Sequence, residues 1–153
     1  MAQEEIFNTR DRSYSAWHRR LSTRRFIGIE KAQLLAMIDL DASIYIEYDD
    51  GTKEPLALIE TAEDRGQAYK TATVTLKLAE RAKIPCFVLL YKLSKNPNPA
   101  DNRYSDIESF RVKRLYPKLE STWRILTPDK WAETLLSLRI WQSEKLDKEF
   151  SLH

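Results

Sequence analysis

Between Leu34 and Ala62 the chain carries two apolar runs separated by a short turn signal, and carboxylates interrupt both runs. From Ile38 the first run alternates. Ile38, Leu40, Ala42, Ile44 and Ile46 fall on one face, and Asp39, Asp41, Ser43, Tyr45 and Glu47 on the other. Asp49-Asp50-Gly51-Thr52 reads as a turn, with Gly51 free to take positive φ. Pro55 then opens a second strand, PLALIETA, so residues 37–62 are expected to form a β-hairpin. Counted outward from such a turn, the numbers of paired residues sum to about 101–103, which sets Asp41 opposite a residue between 60 and 62. Asp41 and Glu60 thereby become cross-strand neighbours. Carboxylates that close repel unless a proton or a cation sits between them. Charge inside an apolar strand is also costly without a purpose. An oxygen-only acidic cluster selects Mg²⁺ or Mn²⁺ over softer metals. Asp41 and Glu60 are the candidate ligands, with Asp39 supporting or replacing Asp41. The plainer alternative is a pair of solvent-facing carboxylates on an edge strand.

The flanking segments supply the rest of an α/β architecture. Residues 12–22 suit a short helix, with Tyr14, Trp17 and Leu21 at helical spacing. A helix is expected from about Glu63 to Lys83, acidic in its first turn and basic in its last. On it Gln67, Lys70 or Thr71, Val74 and Leu78 line one stripe. With Val74 and Leu78 toward the core, Gln67 and Lys70 would enter the face that bears Glu60. A lysine there can orient an attacking water or stabilise a pentacovalent phosphate, and Gln67 can orient either. The alternative for Lys70 is a solvated flank position with a buried stem. CFVLLYKL (86–93) suits a buried strand, 94–106 an exposed loop, and 109–117 and 121–126 further strands. Thr127-Pro128 starts a helix, on which Trp131, Leu135 and Leu138 form a stripe that docks on the sheet. Trp123, Trp131 and Trp141 are expected in the core. The expected order is helix, two or three strands, helix, strand, then a C-terminal strand-strand-helix appendage over about 107–142. Residues 143–153 would be a charged tail that frays. One mixed sheet with helices packed on it, in a single domain over 1–153, accommodates that order.

Composition removes several function classes. With 153 residues, 42% hydrophobic and 31% charged, the chain can bury one core. No apolar run reaches the roughly 18 residues needed to span a bilayer. The opening MAQEEIFNTRDR lacks the pattern of a secretory signal. One cysteine, Cys86, excludes an internal disulfide, and with two histidines it leaves no zinc set. Gly28, Gly51 and Gly66 form no phosphate-cradling loop, and neither His18 nor Cys86 has a partner for nucleophilic catalysis. A cytoplasmic protein without a membrane partner is expected. The net charge of +2 is mild, but its distribution is uneven. Basic stretches at 10–31 and 103–124 flank an acidic segment at 39–64, an arrangement suited to a polyanion held over a carboxylate-lined metal site. Arg19, Arg20, Arg24 and Arg25, with Trp17, His18 and Phe26, combine phosphate-binding charge with rings able to stack on bases. Arg111, Lys113 and Lys118 offer a second rail. The alternative is that the rings are core and the arginines merely keep the surface soluble.

These residues carry a resemblance. Asp41, an interval of eighteen residues, and Glu60 at the end of an apolar third strand followed by a helix and another apolar strand resemble the PD-(D/E)XK nuclease superfamily over about residues 12–93. Gln67 resembles the extra glutamine of its resolvase-like and exonuclease-like branches. LALIETAEDRGQ, TVTLKLAERAKIPCFVLLY, FRVKRLYP and WRILTPDKWAETLL are similar to small phage-associated proteins of that superfamily. The resemblance implies an αβββαβ restriction-endonuclease-like core and Mg²⁺-dependent hydrolysis of phosphodiesters in DNA. It implies Asp41 and Glu60 as metal ligands. Two departures stand out. Ala62 occupies the position of the family lysine, and no proline precedes Asp39 or Asp41. Lys70 is the candidate for a lysine that has migrated. The alternative is a catalytically inactive nuclease-fold factor of phage or mobile-element origin that grips nucleic acid or a protein. A homodimer, common among small resolvase-like nucleases, is compatible with both.

Overall fold

The structure, a computed structural model, describes residues 13–19, 22, 24–37 and 40–151. Arg20 and Asp39 lie outside them. Contacts divide the chain into two compact units, Met1–Asp39 and Leu40–His153. The first holds three short helices, α1 (Ser13–Arg19), α2 (Arg24–Ile27) and α3 (Ile29–Ala32). Within it Trp17 lies against Tyr14 and Phe26, and the His18 ring donates to the Leu35 carbonyl at 2.6 Å. Phe26 is 70% exposed, so it is not core.

The second unit is a five-stranded mixed sheet with two helices. Its elements are β1 (Ala42–Glu47), β2 (Lys53–Glu63), α4 (Thr73–Ala82), β3 (Cys86–Asn98), β4 (Asp101–Tyr116), β5 (Arg124–Leu126) and α5 (Pro128–Ser151). Spatial order equals chain order. β1 and β2 are antiparallel, β2 and β3 parallel across α4, and β3–β4 and β4–β5 antiparallel. The α/β class is as expected. The αβββαβ core is not fully matched, because two strands rather than three precede the crossover helix among the described residues. The expected appendage is no separate body either, since β4 and β5 continue the same sheet.

The hairpin forms as read. Gly51 takes φ of 84°, and Asp50 accepts both the N–H and the hydroxyl of Thr52. Ala42 faces Ile59, Ser43 faces Leu58 and Ile44 faces Ala57, pairs that each sum to 101. A bulge between Ile44 and Tyr45 then shifts the register where Pro55, which has no N–H to give the ladder, joins the strand.

β2 and β3 are central and covered on both sides, which explains their near-continuous apolar runs. On one face Ile59, Phe87, Leu89, Phe110 and Val112 pack around Trp131 of α5. On the other, Leu58 and Cys86 pack against Ala79 of α4 and Ile84. Trp141 departs from the expected core by lying 51% exposed. α5 continues to Ser151 through the stretch expected to fray.

Two larger departures concern the connections. The segment expected as a loop at 94–106 is instead a ribbon, with β3 and β4 paired to Asn98 and Asp101. The helix expected from Glu63 begins only at Thr73, and its buried residues are Thr75 and Ala79. Val74 and Leu78, expected in the core, are exposed. No helix among the described residues is long and apolar enough to cross a membrane.

Candidate active site

The late start of α4 leaves residues 64–72 as a loop built by side chains that compete with helical bonding. Asp64 Oδ1 accepts the Gly66 N–H at 2.9 Å, and Gly66 takes φ of 80°. Gln67 accepts the Arg65 N–H through Oε1 and donates through Nε2 to the Glu63 carbonyl. Its amide is therefore turned back on its own loop. Arg111 of β4 completes the structure. It grips Asp64 with Nε and Nη2 at 2.8 and 2.7 Å, and Nη2 also donates to the Gln67 carbonyl at 2.8 Å.

This loop delivers Lys70 to the acidic pair. Lys70 Nζ lies 2.8 Å from Asp41 Oδ2, 3.0 Å from Glu60 Oε2 and 2.7 Å from the Thr61 carbonyl oxygen. Asp41 Oδ2 also accepts the Thr61 N–H at 2.9 Å, one step beyond the last β1–β2 pair. Asp41, Glu60 and Lys70 thus meet at one nitrogen. Glu60, 6% exposed, is held from its other side, where Oε1 accepts a hydrogen bond from the Thr75 hydroxyl in the first turn of α4.

Burial alone pushes the Asp41 carboxyl up, but the Lys70 ammonium and the Thr61 N–H outweigh it and hold it below the ordinary value. Burial pulls Lys70 down, and the bonds to Asp41 and Glu60 reverse this, raising it above an ordinary lysine. The charged states of Asp41 and Lys70 reinforce each other. Cys86 beneath α4 is pushed up to about 11, chiefly by burial, so it is an inert thiol at neutral pH.

A divalent cation fits the donor chemistry. Two carboxylates and a carbonyl, all hard oxygens, already converge on a cationic nitrogen, and Mg²⁺ is commonly held by one or two carboxylates with water completing its shell. Among the described residues no group of three or more His, Cys, Asp or Glu gathers to hold a metal. The donors that would be offered to such an ion are two carboxylates, Asp41 and Glu60, with the Thr61 carbonyl.

Of the proposed nucleic-acid contacts, Arg24 and Arg25 are exposed on α2, with Arg25 stacked 5.1 Å from the Phe26 ring centre, and Arg19 ends α1. Lys113 stands on the same sheet face as Glu60, since Glu60 pairs with Val88 and Val88 with Lys113. It lies 5.8 Å from the ring centre of Trp123. Arg111, read as a phosphate contact, is committed to Asp64.

Thr75 and Asp64 were not singled out as site residues, and Trp123, expected in the core, is only half-buried and donates its indole N–H to the 64–72 loop. The stripe expected to face the core carried Val74 and Leu78, whereas the face that packs on the sheet carries Thr75 and Ala79. The small side chains at Thr75 and Ala79, four apart, are the signal that this face approaches the sheet closely. In comparisons with known proteins, no family model, no curated protein and no solved structure matches the chain.

Proposed function

We propose that the chain is a divalent-metal-dependent nuclease of the PD-(D/E)XK type, hydrolysing phosphodiester bonds in DNA. One observation carries the reading: a single lysine nitrogen contacts two carboxylates and a carbonyl at 2.7–3.0 Å. Asp41, Glu60 and the Thr61 carbonyl would hold Mg²⁺ or Mn²⁺. When bound, such an ion polarises the phosphate and sharpens a water nucleophile. Lys70 takes the part of the family lysine from a different backbone position, which answers the alanine at residue 62. Once a second cation shares the carboxylates, its ammonium is free to turn toward a phosphate oxygen or a water. Thr75 fixes the rotamer of Glu60, so that Oε2 rather than Oε1 faces the centre. Gln67 serves by shaping the loop. Lys113, Arg19, Arg20, Arg24 and Arg25 are proposed to bind the phosphate backbone. A cytoplasmic setting and a homodimer remain part of this proposal.

The test is cleavage of single-stranded, duplex and branched DNA with Mg²⁺ or Mn²⁺ and with chelator. Wild type is expected to cut only with metal, and Glu60→Ala or Lys70→Met to lose about 100-fold or more in rate. Equal rates in all three proteins would remove the site. A second reading, the nuclease-fold binding factor without turnover, is favoured by the same ammonium, which neutralises the carboxylates without a metal. It predicts no heat on Mn²⁺ titration together with salt-sensitive DNA affinity.

A further inference from the structure

We infer that Arg111 and Trp123 are positioning residues for Lys70: they clamp the 64–72 loop in the conformation that carries its ammonium to Asp41 and Glu60. The inference rests on the hydrolytic reading of the site and assigns work to residues outside it.

The loop has no helical or strand bonding of its own, so its shape depends on anchors. Four are present. Asp64 N–H donates to the Tyr91 carbonyl at 2.7 Å, continuing the β2–β3 ladder. Arg111 holds Asp64 bidentately and the Gln67 carbonyl with the same Nη2. Trp123 donates its indole N–H to the Ala68 carbonyl at 2.9 Å. The Arg111 guanidinium also stacks 5.0 Å from the Trp123 ring centre, so the two clamp residues brace each other.

Both come from the sheet side of the molecule, Arg111 from within β4 and Trp123 from the residue before β5. Their bonds end at Gln67 and Ala68, two or three residues before Lys70. A site held by rigid elements is more exact than one left to a free loop. Arg111 is also not replaceable by any cation, because the double bond to Asp64 uses the planar fork of a guanidinium.

The clamp carries an unusual signature. A looser loop lets the Lys70 ammonium leave the oxygens it shares with a divalent ion. Metal affinity then rises while the reaction loses its oriented cation. A purely structural role would instead lower both.

The experiment compares full-length wild type with Trp123→Phe, which keeps a ring but loses the indole donor, and Arg111→Lys, which keeps charge but loses the fork. Three quantities are read: amide exchange by mass spectrometry, Mn²⁺ affinity by calorimetry, and steady-state DNA cleavage. In the variants, exchange over 64–72 is expected to quicken about tenfold while amides of 86–90 stay protected, showing an intact sheet. Mn²⁺ should bind several-fold tighter. The kcat should fall about tenfold, with KM for DNA changed less than about twofold. Unchanged loop exchange overturns the clamp. So does faster exchange without tighter Mn²⁺ binding, or unchanged turnover in variants of a wild type that cleaves. If wild type cuts no DNA but exchange and Mn²⁺ affinity shift as stated, the hydrolase reading falls and the clamp stands.

Discussion

Glu60 is a buried carboxylate whose two oxygens have different partners, the Thr75 hydroxyl on Oε1 and the Lys70 ammonium on Oε2. Removing the hydroxyl while keeping the shape isolates the first. Thr75→Val leaves Oε1 unpaired in the interior and is expected to cost about 1–3 kcal/mol in urea unfolding, with Thr75→Ser retaining most of that stability. Loss below about 0.5 kcal/mol would mean that the carboxylate finds water instead. The partnership of Asp41 and Glu60 was legible in the sequence because side-chain alternation and a well-marked turn fix a hairpin register arithmetically. Lys70 was legible as a residue and not as a position. Its chemistry pointed to the carboxylates, and its route to them runs through a loop. Thr75 was invisible to the same reasoning, because a hydroxyl in a helix declares no partner until the face it occupies is known.

Elements that alternate or run apolar were readable, and connections were not. The crossover segment 63–72 has the composition of a helix start, yet Asp64 spends its carboxylate on the Gly66 N–H and on Arg111, forty-seven residues away. No local pattern encodes that ion pair. The Arg111 guanidinium, with help from the Gly66 N–H, holds Asp64 below the ordinary carboxyl value of 3.8 despite burial acting the other way. The unfolded chain therefore binds this proton more tightly than the folded one. The resulting stabilisation is complete above the ordinary value and is lost as pH falls through the depressed folded value. The stability difference between wild type and Asp64→Asn should be about 1–3 kcal/mol at neutral pH, hold to about pH 5, and shrink below about pH 4. A difference that grew on acidification would contradict the assignment. At the far end of the sheet, the two prolines in 94–106 suggested a loop, yet Pro97 is paired with Ser105, with a register irregularity on either side of it where a residue without an N–H is tolerated. A ribbon of two strands is marginal by itself. Amides of 95–103 should consequently exchange orders of magnitude faster than those of 86–91 on the same two strands.

On the scale of the molecule, the two sheet faces divide labour. The α4 face carries Glu60, Lys113 and the loop with Lys70, and the α5 face carries the larger apolar cluster centred on Trp131. Trp131 meets Phe87 edge-on at 6.2 Å and Phe110 at 6.2 Å, contacts that join α5 to two strands. The sequence showed this docking, since Trp131, Leu135 and Leu138 recur at helical spacing after a strong start signal. It could not show that β4 and β5 extend one sheet, because strand order between distant segments leaves no periodic trace. Deleting the indole removes area from the α5 face alone. Trp131→Ala should thus lower unfolding stability by about 3–5 kcal/mol. Under conditions where the variant is still folded, Mn²⁺ affinity should stay within about twofold of wild type, because sites separated by a packed sheet and sharing no partners behave additively. Calorimetry at low temperature checks both quantities on one sample. A variant that lost stability and metal affinity together would show that the carboxylates depend on the packing of the opposite face, and the division of labour between the faces would not hold.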